Sequence, residues 1–184
     1  MWGAPADLPP GSRLAANCRM QLEEILDQCQ VLEQRAASIY RRFASVSRAQ
    51  PKVCALWTGL AREEEGHAQS ISIARADLRM RGSSRTTIQG WAEALEEIDA
   101  RLAVAEQLPA GAPTAQRLAA ALDLEMTELD ALRLAILTTA EASPPEDQAG
   151  HADRLADAAE ALTDDSQVRL QVALLRARAR LKHL

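Results

Sequence analysis

The chain has 184 residues, enough for one ordinary domain that buries a sizeable core without a disulfide staple. Its formal net charge is −5, with acids and bases interspersed, which argues against nucleic acid as the main partner because phosphate neutralisation needs a basic face. Hydrophobic residues make up 47% but aromatics only 3%, strong helix formers dominate, and no stretch alternates in the rhythm of a strand, so the composition predicts an all-α protein.

Residues 1–13 read as a flexible leader with neither the basic start nor the apolar run of a secretory signal, and residues 14–184 as one domain. The first helix is predicted from about Leu14 to Val46, on the apolar series Leu22, Ile25, Leu26, Cys29, Leu32, Ala36, Tyr40 and Phe43. Pro51 opens a second helix that runs to about Met80, ended by Gly82-Ser83-Ser84. The short connection between them predicts antiparallel packing. A shorter helix is expected from about Thr87 to Gln107, closed by Pro109, Gly111 and Pro113.

A third long helix then runs from about Thr114 to Ala140, on Leu118, Ala121, Leu122, Leu124, Leu129, Leu132 and Ile136. Ser143-Pro144-Pro145 makes a turn, and a fourth helix spans about Gln148 to Leu181. The plan is a four-helix bundle whose long crossover carries an extra short helix, each long helix on the order of 40–50 Å. The basic run Arg176, Arg178, Arg180 and Lys182 complements the dipole at the end of the last helix.

Three of these helices carry a polar residue in the apolar stripe, where an unpaired buried charge is expensive. Glu33 lies between Cys29 and Ala36 on the first helix; Glu64 and His67 follow Leu60 and Ala61 on the second; Glu125 follows Leu118, Ala121 and Leu122 on the third. The Glu64–His67 spacing stacks a carboxylate and an imidazole on adjacent turns, about 5–6 Å apart at Cβ. Carboxylates converging there would repel, and a divalent cation resolves the repulsion. Oxygen and imidazole donors suit iron or manganese, with zinc as a further candidate. Glu63 and Glu65 face elsewhere and read as solvated; Glu128 departs from the stripe. The three cysteines, Cys18, Cys29 and Cys54, lack metal-ligand spacing and read as reduced, small apolar residues. Trp57 and Trp91 read as packing residues.

The strings Leu32-Glu33-x-x-Ala36-Ala37-x-x-Tyr40-x-x-Phe43-Ala44, Leu60-Ala61-x-x-Glu64-x-x-His67-Ala68 and Ala121-Leu122-Asp123-Leu124-Glu125 resemble those of rubrerythrin-type ferritin-like proteins. The resemblance, which spans about Leu14 to Leu181, implies a ferritin-like fold with Glu33 and His67 as terminal metal ligands. It implies Glu64 as a bridging ligand, and Glu125 as a ligand of a second iron in a centre that reduces peroxide or oxidises Fe(II). The family's second Glu-x-x-His is missing from the fourth helix, where either Ser166 and Arg169 or Asp164 and Gln167 stand, and Leu132 replaces a family Tyr. No Cys-x-x-Cys pair supplies a rubredoxin-type module, so redox activity would need an external electron donor.

Two functional expectations follow. One is an iron- or manganese-binding protein, holding a single ion and at most weakly active toward peroxide or oxygen. The other is a metal-free bundle acting as a structural or interaction module, in which the Arg169 guanidinium bridges Glu125 and Glu64 in place of the metal charge. A groove-type carrier of a small apolar ligand is a third. Either main reading carries the expectation of a cytoplasmic homodimer with no nucleic-acid or membrane partner, since no apolar run approaches the roughly 20 residues a bilayer crossing needs.

Overall fold

A computed structural model describes residues 19–82, 87–89, 91–127 and 151–181. The predicted leader, the third helix beyond Thr127 (with Glu128, Leu129, Leu132 and Ile136), the Ser143-Pro144-Pro145 turn, the stretch from Gln148 to Gly150 and the tail with His183 lie outside the described residues. Helices α1 (Leu22–Val46) and α2 (Pro51–Arg81) form the hairpin expected from the sequence. Glu24 closes the start of α1 by accepting the Gln21 backbone N–H at 3.0 Å. Pro51 opens α2, and Gly82, at φ 70°, takes the left-handed cap that ends it.

Cross-pairs show that the two helices run antiparallel. Arg79 meets Glu23, Arg75 meets Asp27 and Arg41 meets Glu65, so the partner's number falls as α1 advances. Near the turn, Tyr40 stacks on Trp57 with ring centroids 5.9 Å apart, and Phe43 meets the same indole edge-on at 5.2 Å. All three rings are fully or almost fully buried, and Trp91 packs against the same core. Both tryptophans are packing residues, as the sequence suggested.

Two segments expected to be helical are strands. β1 (Arg19–Gln21) pairs antiparallel with β2 (Thr87–Gln89), Met20 opposite Ile88, just ahead of α1 and of α3 (Trp91–Glu106). The ribbon gives these backbone groups hydrogen-bond partners where a helix start would leave its first N–H groups to water. It also fixes the direction of α3, which sets out beside the start of α1. At the other end Arg42 donates to the Ala105 carbonyl at 2.6 Å, so α3 runs parallel to α1. The crossover thus returns the chain to the end where α2 began. There Thr114, first residue of α4 (Thr114–Glu125), donates to Gln50 at 3.5 Å, and α4 runs parallel to α2.

The third helix is shorter in its described part than the periodicity predicts. After Glu125 the Thr127 N–H turns back to the Leu124 carbonyl at 2.9 Å, and its hydroxyl donates to the same oxygen at 2.6 Å. Glu125 therefore stands at the end of α4, not in mid-helix.

The fourth helix is two: α5 (His151–Leu162) and α6 (Ser166–Leu181). The sequence Thr163-Asp164-Asp165 breaks it. Asp165 caps α6 by accepting the N–H groups of Gln167 at 2.9 Å and Val168 at 3.2 Å, while Thr163 Oγ1 accepts the Asp165 N–H at 3.2 Å. The halves fold back as a hairpin in which Arg176 spans Asp157 and Glu160. That basic side chain serves an interhelical pair and not only the helix dipole. Leu155, Ala156, Ala159, Val168, Val172 and Leu175 are its contribution to one continuous core. No described helix is long and apolar enough to cross a membrane.

Urea unfolding tests the break. Asp165→Ala should cost about 1 kcal/mol, the usual loss for an N-cap. Arg169→Ala, which removes only a surface pair with Asp164, should change stability by less than about 0.5 kcal/mol. Equal and negligible effects from both would mean that the cap is not what divides the two helices.

Candidate metal centre

Helical spacing brings two acids and a histidine to one level of the α1–α2 hairpin. Glu33 follows Cys29 by four residues and precedes Ala36 by three, so it stays on the inward stripe of α1. Glu64 and His67 continue the buried line of Leu60 and Ala61 on α2 toward Ala68 and Ile71. Exposure is 0% for Glu33, 5% for Glu64 and 9% for His67, so all three belong to the interior.

His67 Nδ1 lies 2.9 Å from Glu64 Oε2 and 3.6 Å from Glu33 Oε2. One ligand atom from each of the three side chains can be chosen so that all lie within 4.8 Å of one another. Burial alone would push the imidazole pKa down; the two carboxylates outweigh it and raise it from 6.5 to about 9. At neutral pH the ring is therefore an imidazolium between carboxylates. The group Glu33–Glu64–His67 can hold a metal ion, with two oxygen donors and one nitrogen donor.

Glu125, the fourth predicted ligand, does not join this group. It is half-buried and lines a cavity of about 20 Å³, room for one water molecule, together with Glu64, Tyr40, Ala36, Leu102 and Leu124. The Tyr40 hydroxyl donates to Glu125 Oε1 at 3.5 Å. Burial, then the charges of Glu125, Glu64 and Glu33, hold that phenol well above its ordinary pKa, so Tyr40 stays a neutral donor facing the acids. Burial and then Glu33 likewise push the Cys29 thiol far up, which makes it an inert core residue as expected.

Arg169 is not the internal counter-ion. Its side chain is 58% exposed and meets Asp164, itself 94% exposed, at the surface where α6 begins. Ser166 and Gln167 are exposed there as well, so neither register of the fourth segment reaches the centre. The physical reason is the break at Thr163–Asp165, which turns these residues outward.

Glu65 is exposed and pairs with Arg41, as a solvated acid would. Glu63 is different: it meets Arg154 of α5 at 2.8 Å and fastens that helix beside the centre. A second unexpected feature is Arg117 on α4, which is buried and whose Nε and Nη1 find no hydrogen-bond partner among the described residues. Burial pushes its pKa down. Its place four residues before Ala121 and seven before Leu124 is the signal that marks it as inward-facing.

In comparisons with family models, curated proteins and solved structures, nothing matches this chain.

The imidazolium makes a pH prediction for metal-free protein. Because the folded pKa lies above the unfolded value, its stabilisation is complete below pH 6.5 and fades as pH rises through about 9. The loss should be on the order of 3 kcal/mol. Urea midpoints of chelator-treated protein should fall across that window in wild type and stay nearly level in His67→Gln; parallel curves would show that His67 is not the group responsible.

Proposed function

We propose that this chain is a rubrerythrin-like protein that binds iron or manganese through Glu33, Glu64 and His67, on a ferritin-like four-helix bundle. The observation that carries the reading is the burial of two carboxylates and one imidazole with ligand atoms within 4.8 Å of one another. Carboxylates removed from water need positive charge close by. With both carboxylates ionised and His67 protonated, the three groups sum to one negative charge, and a divalent ion in place of the proton brings them to neutrality.

Metal–oxygen and metal–nitrogen bonds of about 2.0–2.2 Å need only a modest contraction of this arrangement. The donors are hard oxygens and one borderline nitrogen, with no thiolate, which favours iron and manganese and leaves zinc as a competitor. The ferritin-like reading draws on the α1–α2 hairpin, the crossover helix parallel to α1 and the return of α4 parallel to α2.

Each residue has a stated task. Glu33 and Glu64 supply charge and oxygen donors from facing helices, and His67 gives up its Nδ1 proton as it ligates. Glu125, or a water in the small cavity beside Glu64, completes the shell. Tyr40 orients the Glu125 carboxylate through its hydroxyl. When bound, the ion supplies one-electron chemistry toward peroxide or oxygen, at a weak level with electrons from an external donor. We further propose a cytoplasmic homodimer without nucleic-acid or membrane partners. A second reading has one observation in its favour: the His67 ring lies against both carboxylates, where its protonated form offsets part of their charge, which would suit a metal-free structural module.

Metal analysis by plasma mass spectrometry separates the two. Protein from cells grown with added iron and manganese should carry about one ion per chain and lose it in Glu64→Ala. Binding should also release a proton and tighten by about tenfold per pH unit below pH 9. A content far below one ion per chain, unchanged by Glu64→Ala, would leave the metal-free module as the better account.

A further inference from the structure

On the face that α1 and α2 turn to solvent near their connection, the charge pattern departs from that of the other described residues. Arg41, Arg79, Arg154 and Arg169 are exposed and each is paired with a carboxylate. Arg48 and Arg62 are equally exposed, yet neither has a hydrogen bond or ion pair among the described residues. These two unspent cations, Arg48 from the α1–α2 connection and Arg62 from α2, line the same groove of about 380 Å³.

Arg41 lines it too, and Glu65, the one carboxylate on its wall, already accepts both Nε and Nη2 of Arg41. Three guanidiniums against one carboxylate make a local excess of positive charge on a chain whose formal net charge is −5. The hydroxyls of Ser45 and Thr58 donate to the Arg42 and Cys54 carbonyls, so the Arg48 and Arg62 guanidiniums are the side-chain donors left unspent in the groove. A volume in this range fits a small molecule. Planar guanidinium forks bind phosphate and carboxylate groups through paired, charge-assisted hydrogen bonds.

We propose that this groove is a binding site for a small dianion whose phosphate or carboxylate groups are gripped by Arg48 and Arg62, with Arg41 as the third cation. The site shares no residue with the metal centre and does not depend on that reading.

Calorimetric titration of the full chain at low ionic strength, with inorganic phosphate in one arm and succinate in the other, tests it. Saturable binding is expected in at least one arm, and the arm that responds identifies the anion's chemistry. The Arg48→Gln/Arg62→Gln variant should bind at least about tenfold more weakly, while Arg169→Gln, which alters a paired surface arginine, should bind like wild type. Cys54, half-buried in the groove wall, gives a second readout: its alkylation should slow as the groove fills. The proposal is overturned if neither anion saturates the protein, or if the double variant keeps wild-type affinity with an unchanged helical spectrum.

Discussion

Holding Glu33 and Glu64 out of water on facing helices requires positive charge between α1 and α2, and the centre of the structure is arranged around that requirement. A buried carboxylate is tolerated only with close compensation. His67 provides it from one turn along α2, which is why its proton persists well above the ordinary histidine range. Burial first, and then the charges of Glu125, Glu64 and Glu33, hold Tyr40 neutral, and burial with Glu33 keeps Cys29 protonated. The two buried acids thus bear on His67, Tyr40 and Cys29 alike.

The surrounding packing keeps that constraint rigid. The ion pairs between α1 and α2 register the two helices along their length, and the stack of Tyr40, Trp57 and Phe43 locks them near the turn. The β1–β2 ribbon and the Arg42 clamp pin α3 at both ends, so Leu102 closes the cavity beside Glu64. Arg154 then holds α5 against Glu63, immediately next to Glu64. A small displacement of α1 against α2 would separate Glu33 from Glu64 and His67.

Much of this was legible in the sequence because helical periodicity is local. Three-and-four spacing alone puts Glu33, Glu64 and His67 on inward stripes, and Pro51, Gly82 and Pro113 mark the helix boundaries where backbone chemistry demands them. What escaped depends on partners distant in the chain. Arg19–Gln21 and Thr87–Gln89 become strands only because each meets the other. The division of the last helix was written locally, in Thr163-Asp164-Asp165, but apolar residues continue in helical spacing on both sides and mask the cap. On an unbroken helix one of the two registers turns Arg169 inward; the break puts it at the surface, paired with Asp164. The arginine groove lies between two helices, and no pattern along one helix announces it.

The most direct test of the centre is crystallographic. Crystals grown with manganese and measured on both sides of its absorption edge should show one anomalous peak bounded by Glu33, Glu64 and the Nδ1 of His67. A dataset with manganese in the medium but no anomalous density among those three side chains, and a hydrogen-bonded imidazolium in its place, would contradict the account.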